Sequence, residues 1–245
     1  MDATRSADSR QYTVRTKNVA RLRLSETAPG GAFQLDGQKF SAVPENPVFE
    51  KKNGKWTLQS PRSAAAGLRK AHGLQGPIDD AFTDSFLCVR PTGTPFHGET
   101  KAYAERMLSR LTADFAKWMR GDPRVKDDTA VTEADIANNN LILFGDPSSN
   151  RLIARVLAKL PVRWTRQEVA AGGHKYDGAG NLPVLIYPNP LNPKRYIVIN
   201  SGHTFGEADF RGTNALLYPR LGDWAVVRTG DGEVLSSGFF NEWWQ

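Results

Sequence analysis

The sequence predicts an α/β protein: a small N-terminal antiparallel β segment, then a mostly parallel, helix-covered, flavodoxin-like three-layer sheet with an antiparallel edge. Three observations predict it. Residues 11–60 alternate apolar and polar side chains around two tight-turn dipeptides, Asp36-Gly37 and Asn53-Gly54. Beyond residue 80, apolar runs such as "SFLCV" and "NLILF" alternate with amphipathic segments, the pattern of parallel strands covered on both faces. Two late runs, "LPVLIYPNP" and "RYIVINSG", lie close enough across a proline-rich turn to pair antiparallel.

Each element has its own justification. In "QYTVRTKNVARLRLSE", Tyr12, Val14, Val19, Leu22 and Leu24 alternate with Arg and Lys, the period of a half-exposed strand. Asp36-Gly37 and Asn53-Gly54 are hairpin turns, because both residue types tolerate positive φ. Residues 1–62 are therefore read as the β segment and 63–80 as a connector with a short helix over Ser63–Lys70. Residues 81–245 are read as the α/β domain. "ETKAYAERMLSRLTADFAKWMRG" is a long helix with Tyr103, Met107, Leu111, Phe115 and Trp118 on one face, ended by Gly121 and Asp122-Pro123. "TEAD" resembles a capping box. "NLILFGDPSSNRLIARVLAKL" reads as strand, turn and helix, with Ile153, Val156, Leu157 and Leu160 buried. "DWAVVRT" and the aromatic tail "GFFNEWW" finish the chain.

Composition narrows the function classes. The 245 residues are 40% hydrophobic and 24% charged, as in ordinary globular proteins. No apolar run approaches the ~18 residues of a membrane span, and the polar start "MDATRSADSRQYTVRTK" has no signal-peptide core. The location is left open: cytoplasmic for the chain as it stands, with any secretion signal lying outside these residues. A single cysteine, Cys88 in "SFLCV", excludes an internal disulfide and reads as a small buried hydrophobe. The net charge is +6, but the 32 Lys and Arg are scattered and form no nucleic-acid motif. Neither a nucleic acid nor a membrane is expected as partner.

Ligands of open α/β sheets collect beyond the carboxyl ends of the strands. Three such ends carry polar, glycine-containing turns: Arg90–Thr94, Gly145–Asn150 and Asn200–Thr204. If they converge, Arg90, Thr92, Thr94, Ser149, Asn150 and Ser201 offer a pocket for a small anion or a polarised ester oxygen. Helix capping by Asp146 or Ser148 is the structural reading of the middle turn. As chemistry, His203 or His97 would supply a base and Asp146 or Glu207 would orient it, with Ser148 as a poor nucleophile, since no Gly-x-Ser-x-Gly elbow surrounds it. "HTFGEAD" places His203, Glu207 and Asp209 within seven residues. With His97, these would hold a divalent zinc or manganese. Asp79, Asp80 and Asp84 read as structural carboxylates, paired with Arg90 or Lys70.

The segments "GLQGPIDDAF", "SFLCVRPTG", "VKDDTAVTEADIANNNLILFGDPSSN", "LPVLIYPNPLNPKRYIVINSGHTF", "LGDWAVV" and "GFFNEWW" carry a resemblance. Together with "YTVRTKNVARLRL", "LDGQ" and "FEKKNGKW", they resemble the C-terminal region of bacterial, planctomycete-type prolyl-oligopeptidase-like α/β-hydrolase proteins, over residues 11–244. The resemblance implies a context of hydrolysis. In those proteins the serine, aspartate and histidine of the hydrolase lie in a separate preceding domain, so none carries over. Where the resembled pattern has Phe in "SG-x-TF", this chain has His203.

The expected function is a hydrolase-associated module with a small-ligand pocket at the strand ends, its partner a small molecule or an upstream hydrolase domain. The alternative is a free-standing hydrolase of activated esters or phosphoesters, metal-assisted in one version. A third reading, a carbohydrate- or wall-binding module, draws on Trp224, Trp243 and Trp244.

Overall fold

The structure, a computed structural model, describes residues 1–59, 67–212 and 218–245, with the side chain of Glu207 excepted. The expected start of a helix at Ser63 and the expected boundary at residue 62 lie outside the described residues. The chain divides into two compact units, Met1–Gly67 and Leu68–Gln245.

Among the described residues, the N-terminal unit holds seven short strands: β1 (Asp2–Arg5), β2 (Gln11–Arg15), β3 (Arg21–Arg23), β4 (Gly31–Leu35), β5 (Gln38–Val43), β6 (Val48–Lys52) and β7 (Lys55–Gln59). They form two sheets, β1-β2-β4-β5 and β3-β6-β7. Both sheets contribute to one core of Tyr12, Val14, Leu22, Phe33, Leu35, Val43, Phe49 and Trp56. Asp36-Gly37 and Asn53-Gly54, all four at positive φ, turn β4 into β5 and β6 into β7. The Asp36 carboxylate then links the sheets, accepting from Thr16 N (2.6 Å), Lys51 Nζ (2.8 Å) and Trp56 Nε1 (3.0 Å). The segment is not wholly antiparallel, because β2 and β4 pair in parallel. Between them the chain crosses to the other sheet as β3, and so returns in the same direction.

The C-terminal unit contains β8 (Phe86–Arg90), α1 (Gly98–Asp114), β9 (Val125–Asp127), α2 (Glu133–Asn138), β10 (Asn140–Leu143), α3 (Arg151–Val156), β11 (Arg163–Trp164), β12 (Glu168–Ala171) and β13 (His174–Asp177). β14 (Asn181–Asn189), β15 (Asn192–Ile199), α4 (Glu207–Phe210), β16 (Trp224–Arg228) and β17 (Val234–Gly238) complete it. Its main sheet has the order β17-β16-β14-β15-β10-β8-β9, and β11-β12-β13 form a separate small sheet.

The expected flavodoxin-like sandwich is overturned. The molecule is mostly β, 36% strand and 21% helix, with several mixed sheets and few helices. In the main sheet only β9-β8, β8-β10 and β10-β15 are parallel, whereas β15-β14, β14-β16 and β16-β17 are antiparallel. The physical reason is element length. α2 and α3 have six residues each and α4 has four, too short to cover a sheet as α1 does. The path from β10 to β15 is filled mainly by β11–β14 rather than by a crossover helix. The apolar-run pattern marks no strands over 163–177, where β11–β13 lie, whereas β14 and β15, expected as an antiparallel pair, do pair so.

Local chemistry explains the remaining boundaries. Thr132 and Asp135 form a complete capping box at the start of α2. α1 runs into a π-helical turn, Phe115–Met119, and Arg120 rather than Gly121 takes the left-handed conformation (φ +59°). Cys88 is fully buried in β8, and burial pushes its thiol up to about 12. Trp244 is fully buried against Tyr187, Phe240 and Tyr196. This removes that tryptophan from the carbohydrate-binding reading of the tail.

Candidate functional site

β8, β10 and β15 are parallel neighbours, with Leu141 in register with both Leu87 and Ile197. Their carboxyl ends therefore share one rim, and the three polar turns leave from it. Gly93 N donates to Ser149 O (2.8 Å), joining the first turn to the second. The Asn200 amide joins the second to the third: Oδ1 accepts from Gly145 N and Nδ2 donates to Gly145 O, each at 2.9 Å. Close approach requires glycine here. Gly145 has φ +100°, and a Cβ on it would lie 2.6 Å from Ser149 Oγ and 3.0 Å from Pro91 Cβ.

Most polar groups of this rim are consumed by the fold. Asp146 is fully buried. Its Oδ1 accepts from Ser148 N (3.0 Å), Ser149 N (2.9 Å) and Ser149 Oγ (3.0 Å), and its Oδ2 accepts from Phe96 N (2.6 Å). The helix cap is neither Asp146 nor Ser148. Asn150 Oδ1 accepts from Leu152 N and Ile153 N, while its Nδ2 donates to Phe144 O. Ser148 and Thr94 are exposed. Thr92 Oγ1 donates to Asp128 (2.7 Å), Arg90 Nε donates to Asp127 (2.7 Å), and Ser201 Oγ donates to Gly202 O (2.8 Å). A carboxylate that holds four donors and a serine bonded to it are committed to the geometry of the turn.

A cavity of about 480 Å³ opens where the first two turns face α1. Arg90, Gly93, Gly145 and Ser149 line it from the rim. Lys101, Glu105 and Ser109 line it from α1 together with Ala104 and Leu108. The α1 residues were missed in the sequence. The signal was present as a polar i, i+4, i+8 stripe beside the apolar one. Lys101 and Glu105 form an exposed pair at 3.9 Å. The cavity thus offers two cations, one carboxylate, the Ser109 hydroxyl and an apolar wall, the Ser149 hydroxyl being held by Asp146. Of the expected ligand-binding residues, Arg90 and Ser149 line it.

His203 sits elsewhere. Its side chain is buried, and Nε2 lies 3.8 Å from Asp114 Oδ2 near the end of α1. Phe205 stacks on its ring at 5.6 Å, and Phe210 and Phe82 meet it edge-on. The space beside it, among Met107, Arg110, Leu111 and Gly202, cannot hold a water molecule. Burial, reinforced by the Arg110 charge, holds its pKa below the ordinary histidine value, and Asp114 opposes this only in part. A neutral imidazole in an aromatic nest is a close substitute for phenylalanine.

The metal set is dispersed. His97 precedes α1 and donates through Nε2 to Arg166 O (2.7 Å). His203 packs near the other end of this 17-residue helix, which is roughly 25 Å long. Asp209 accepts from Gly206 N (2.8 Å) and pairs with Arg220. The side chain of Glu207 lies outside the described residues. Among the described residues, no three His, Cys, Asp or Glu side chains are grouped to hold an ion. The acidic trio is structural but finds other partners than Arg90 or Lys70. Asp79 binds Thr204, Asp80 binds Tyr196 Oη (2.5 Å), and Asp84 binds Arg195. Lys70 pairs instead with Asp223 at 2.5 Å.

Comparison of the chain with protein-family models, with curated proteins and with solved structures found no match.

Proposed function

We propose that this chain is a non-catalytic, hydrolase-associated module that holds a small polar ligand in the cavity between the β8 and β10 turns and α1. The hydrolase context comes from the resemblance of its segments to the C-terminal region of prolyl-oligopeptidase-like proteins. In those proteins the reactive residues belong to a preceding domain. One observation carries the non-catalytic part. Asp146 and Ser149 are bonded to each other and to the backbone, while His203 is walled off from water. An open cavity with charged walls remains beside them. Binding without turnover is what such an arrangement supports.

Two measurements test this. The purified chain, given chromogenic carboxylate, phosphate and sulfate esters with and without chelator, is expected to show no turnover. Turnover that disappears in His203→Ala would establish the free-standing hydrolase instead. A thermal-shift panel of small acids, amines and amino acids should find ligands whose effect is abolished in Ser109→Trp, an exposed position where the indole fills the cavity. Ligands that stabilise the native chain and the Ser109→Trp variant equally would move the site elsewhere.

A further inference from the structure

The net charge of the chain is distributed unevenly. Residues 1–67 contain 11 Lys and Arg against 6 Asp and Glu, a balance of +5 out of the total of +6. The remaining 178 residues contain 21 against 20. The small N-terminal unit is therefore a strongly basic body attached to a nearly neutral one.

This unit also has a groove of about 510 Å³ on the sheet formed by β2, β4 and β5. The register places Thr13, Gln34 and Lys39 in one row across the three strands, spanning roughly 10 Å at ~4.8 Å per strand. Gln11 and Ser41 extend the lining on the side of Ala32. The concavity has a cause. The β4–β5 register shifts between Gly31 and Phe33, and Ala42 takes φ +52°, so β5 is bulged and bends. Among the described residues that line the groove, Lys39 is the only charged one, and it is exposed. Arg10 and Arg15, both exposed, stand at the two ends of β2.

We propose that this outer face binds an anionic polysaccharide, with Lys39 meeting a carboxylate or sulfate and the Gln11, Thr13, Gln34 and Ser41 side chains meeting hydroxyl groups. Amides and hydroxyls both donate and accept, as a hydroxyl-rich chain needs, and the +5 balance concentrates a polyanion near the groove. A single-stranded nucleic acid fits less well. It binds by stacking bases on exposed aromatics, whereas Tyr12 and Phe33 are buried and stacked on each other at 4.4 Å, and the half-buried Phe40 packs on Phe49 at 4.9 Å. A membrane surface requires large exposed apolar side chains, and here Tyr12 and Phe33 are buried and Phe40 is half-buried.

The test uses the full chain at physiological ionic strength. Polygalacturonate and heparin oligosaccharides serve as carboxylated and sulfated probes, with dextran and a single-stranded oligonucleotide beside them. Lys39→Glu should weaken binding of an acidic polysaccharide about tenfold. Lys194→Glu, the same charge change at an exposed position of the C-terminal unit, should leave it within about twofold. Gln34→Ala, also exposed, should weaken it without altering the fold as judged by circular dichroism. The proposal is overturned by failure to bind either acidic polymer, by equal weakening in the two lysine variants, or by tighter binding of the oligonucleotide or of dextran.

Discussion

The two units solve the folding problem by different means. Three of the five strand pairings of the N-terminal unit join neighbours in sequence, and two of these, β4-β5 and β6-β7, are hairpins closed by turns whose conformation their own residues favour. Among the described residues, its core has eight buried hydrophobic side chains. The C-terminal unit depends on distant pairings, above all β8, β10 and β15 side by side from residues 86, 140 and 192 onward. The charge follows the same division, +5 against +1. So does histidine, because all four histidines lie beyond residue 67. A unit made by local turns can carry a polar, basic surface. A unit made by a seven-stranded sheet must spend its polar groups on tying strand ends together.

That comparison can be broken most decisively in the cores. Phe144→Ala empties a fully buried site after β10 and should cost the C-terminal unit about 3–5 kcal/mol. Phe33→Ala should cost the same in the N-terminal unit. There the loss should abolish folding, since so small a core leaves little margin. Hydrogen exchange, followed separately for each unit, measures both; slow exchange surviving in Phe33→Ala would show that this unit is not marginal.

The rim gives the next largest effect. Asp146→Ala leaves its four donors without their acceptor and should cost about 3 kcal/mol. Ser148→Ala, at an exposed side chain, should cost less than about 0.5 kcal/mol. Urea unfolding of both variants measures the contrast, and equal costs would contradict the structural reading of the turn.

Acidification sharpens the difference further. His203 has a folded-state pKa below its unfolded value because it is buried. The unfolded chain therefore binds the proton more readily. The stability contribution is complete above about pH 6.5 and is lost as pH falls through the folded value. Calorimetry between pH 7 and 5 should lower the transition of the C-terminal unit, and His203→Phe should reduce the drop. The N-terminal unit has no histidine and should hold. Its Asp36, kept well below the usual carboxylate range by Lys51, Thr16 and Trp56, weakens it only below about pH 4. A pH response unchanged in His203→Phe would remove this role from His203.

Salt should have the smallest effect. Screening relieves repulsion among the cations of the N-terminal unit, so 0.5 M sodium chloride should stabilise it by about 0.3 kcal/mol. The nearly neutral unit should not respond. The opposite ordering in thermal melts would show that the +5 balance is locally compensated.

Much of the local structure was legible in the sequence. Asp36-Gly37, Asn53-Gly54 and the Thr132–Asp135 capping box act within a few residues, so their chemistry is visible in a short window. The apolar runs of β8, β10, β14 and β15 were visible for the same reason. The sheet order was not. Nothing local distinguishes a strand followed by a covering helix from one followed by another strand, and α3, whose apolar stripe reaches Leu160 in sequence, ends at Val156. The candidate site was legible as three turns on one rim but not as a cavity. Lys101, Glu105 and Ser109 enter it only because α1 faces the turns after β8 and β10. His97 and His203 looked like possible co-ligands until the length of that helix separated them.

The sequence by itself determined where the chain turns, which side chains cannot face water, and that its first 67 residues carry nearly all of its net charge. These follow from dihedral preference, transfer free energy and counting, none of which needs to know what lies across the molecule. Only the tertiary structure decided which strands became neighbours, which carboxylates were already saturated, and which histidine was sealed among phenylalanines. Those outcomes depend on contacts between residues far apart in the chain, and each such contact is chosen in competition with all the others.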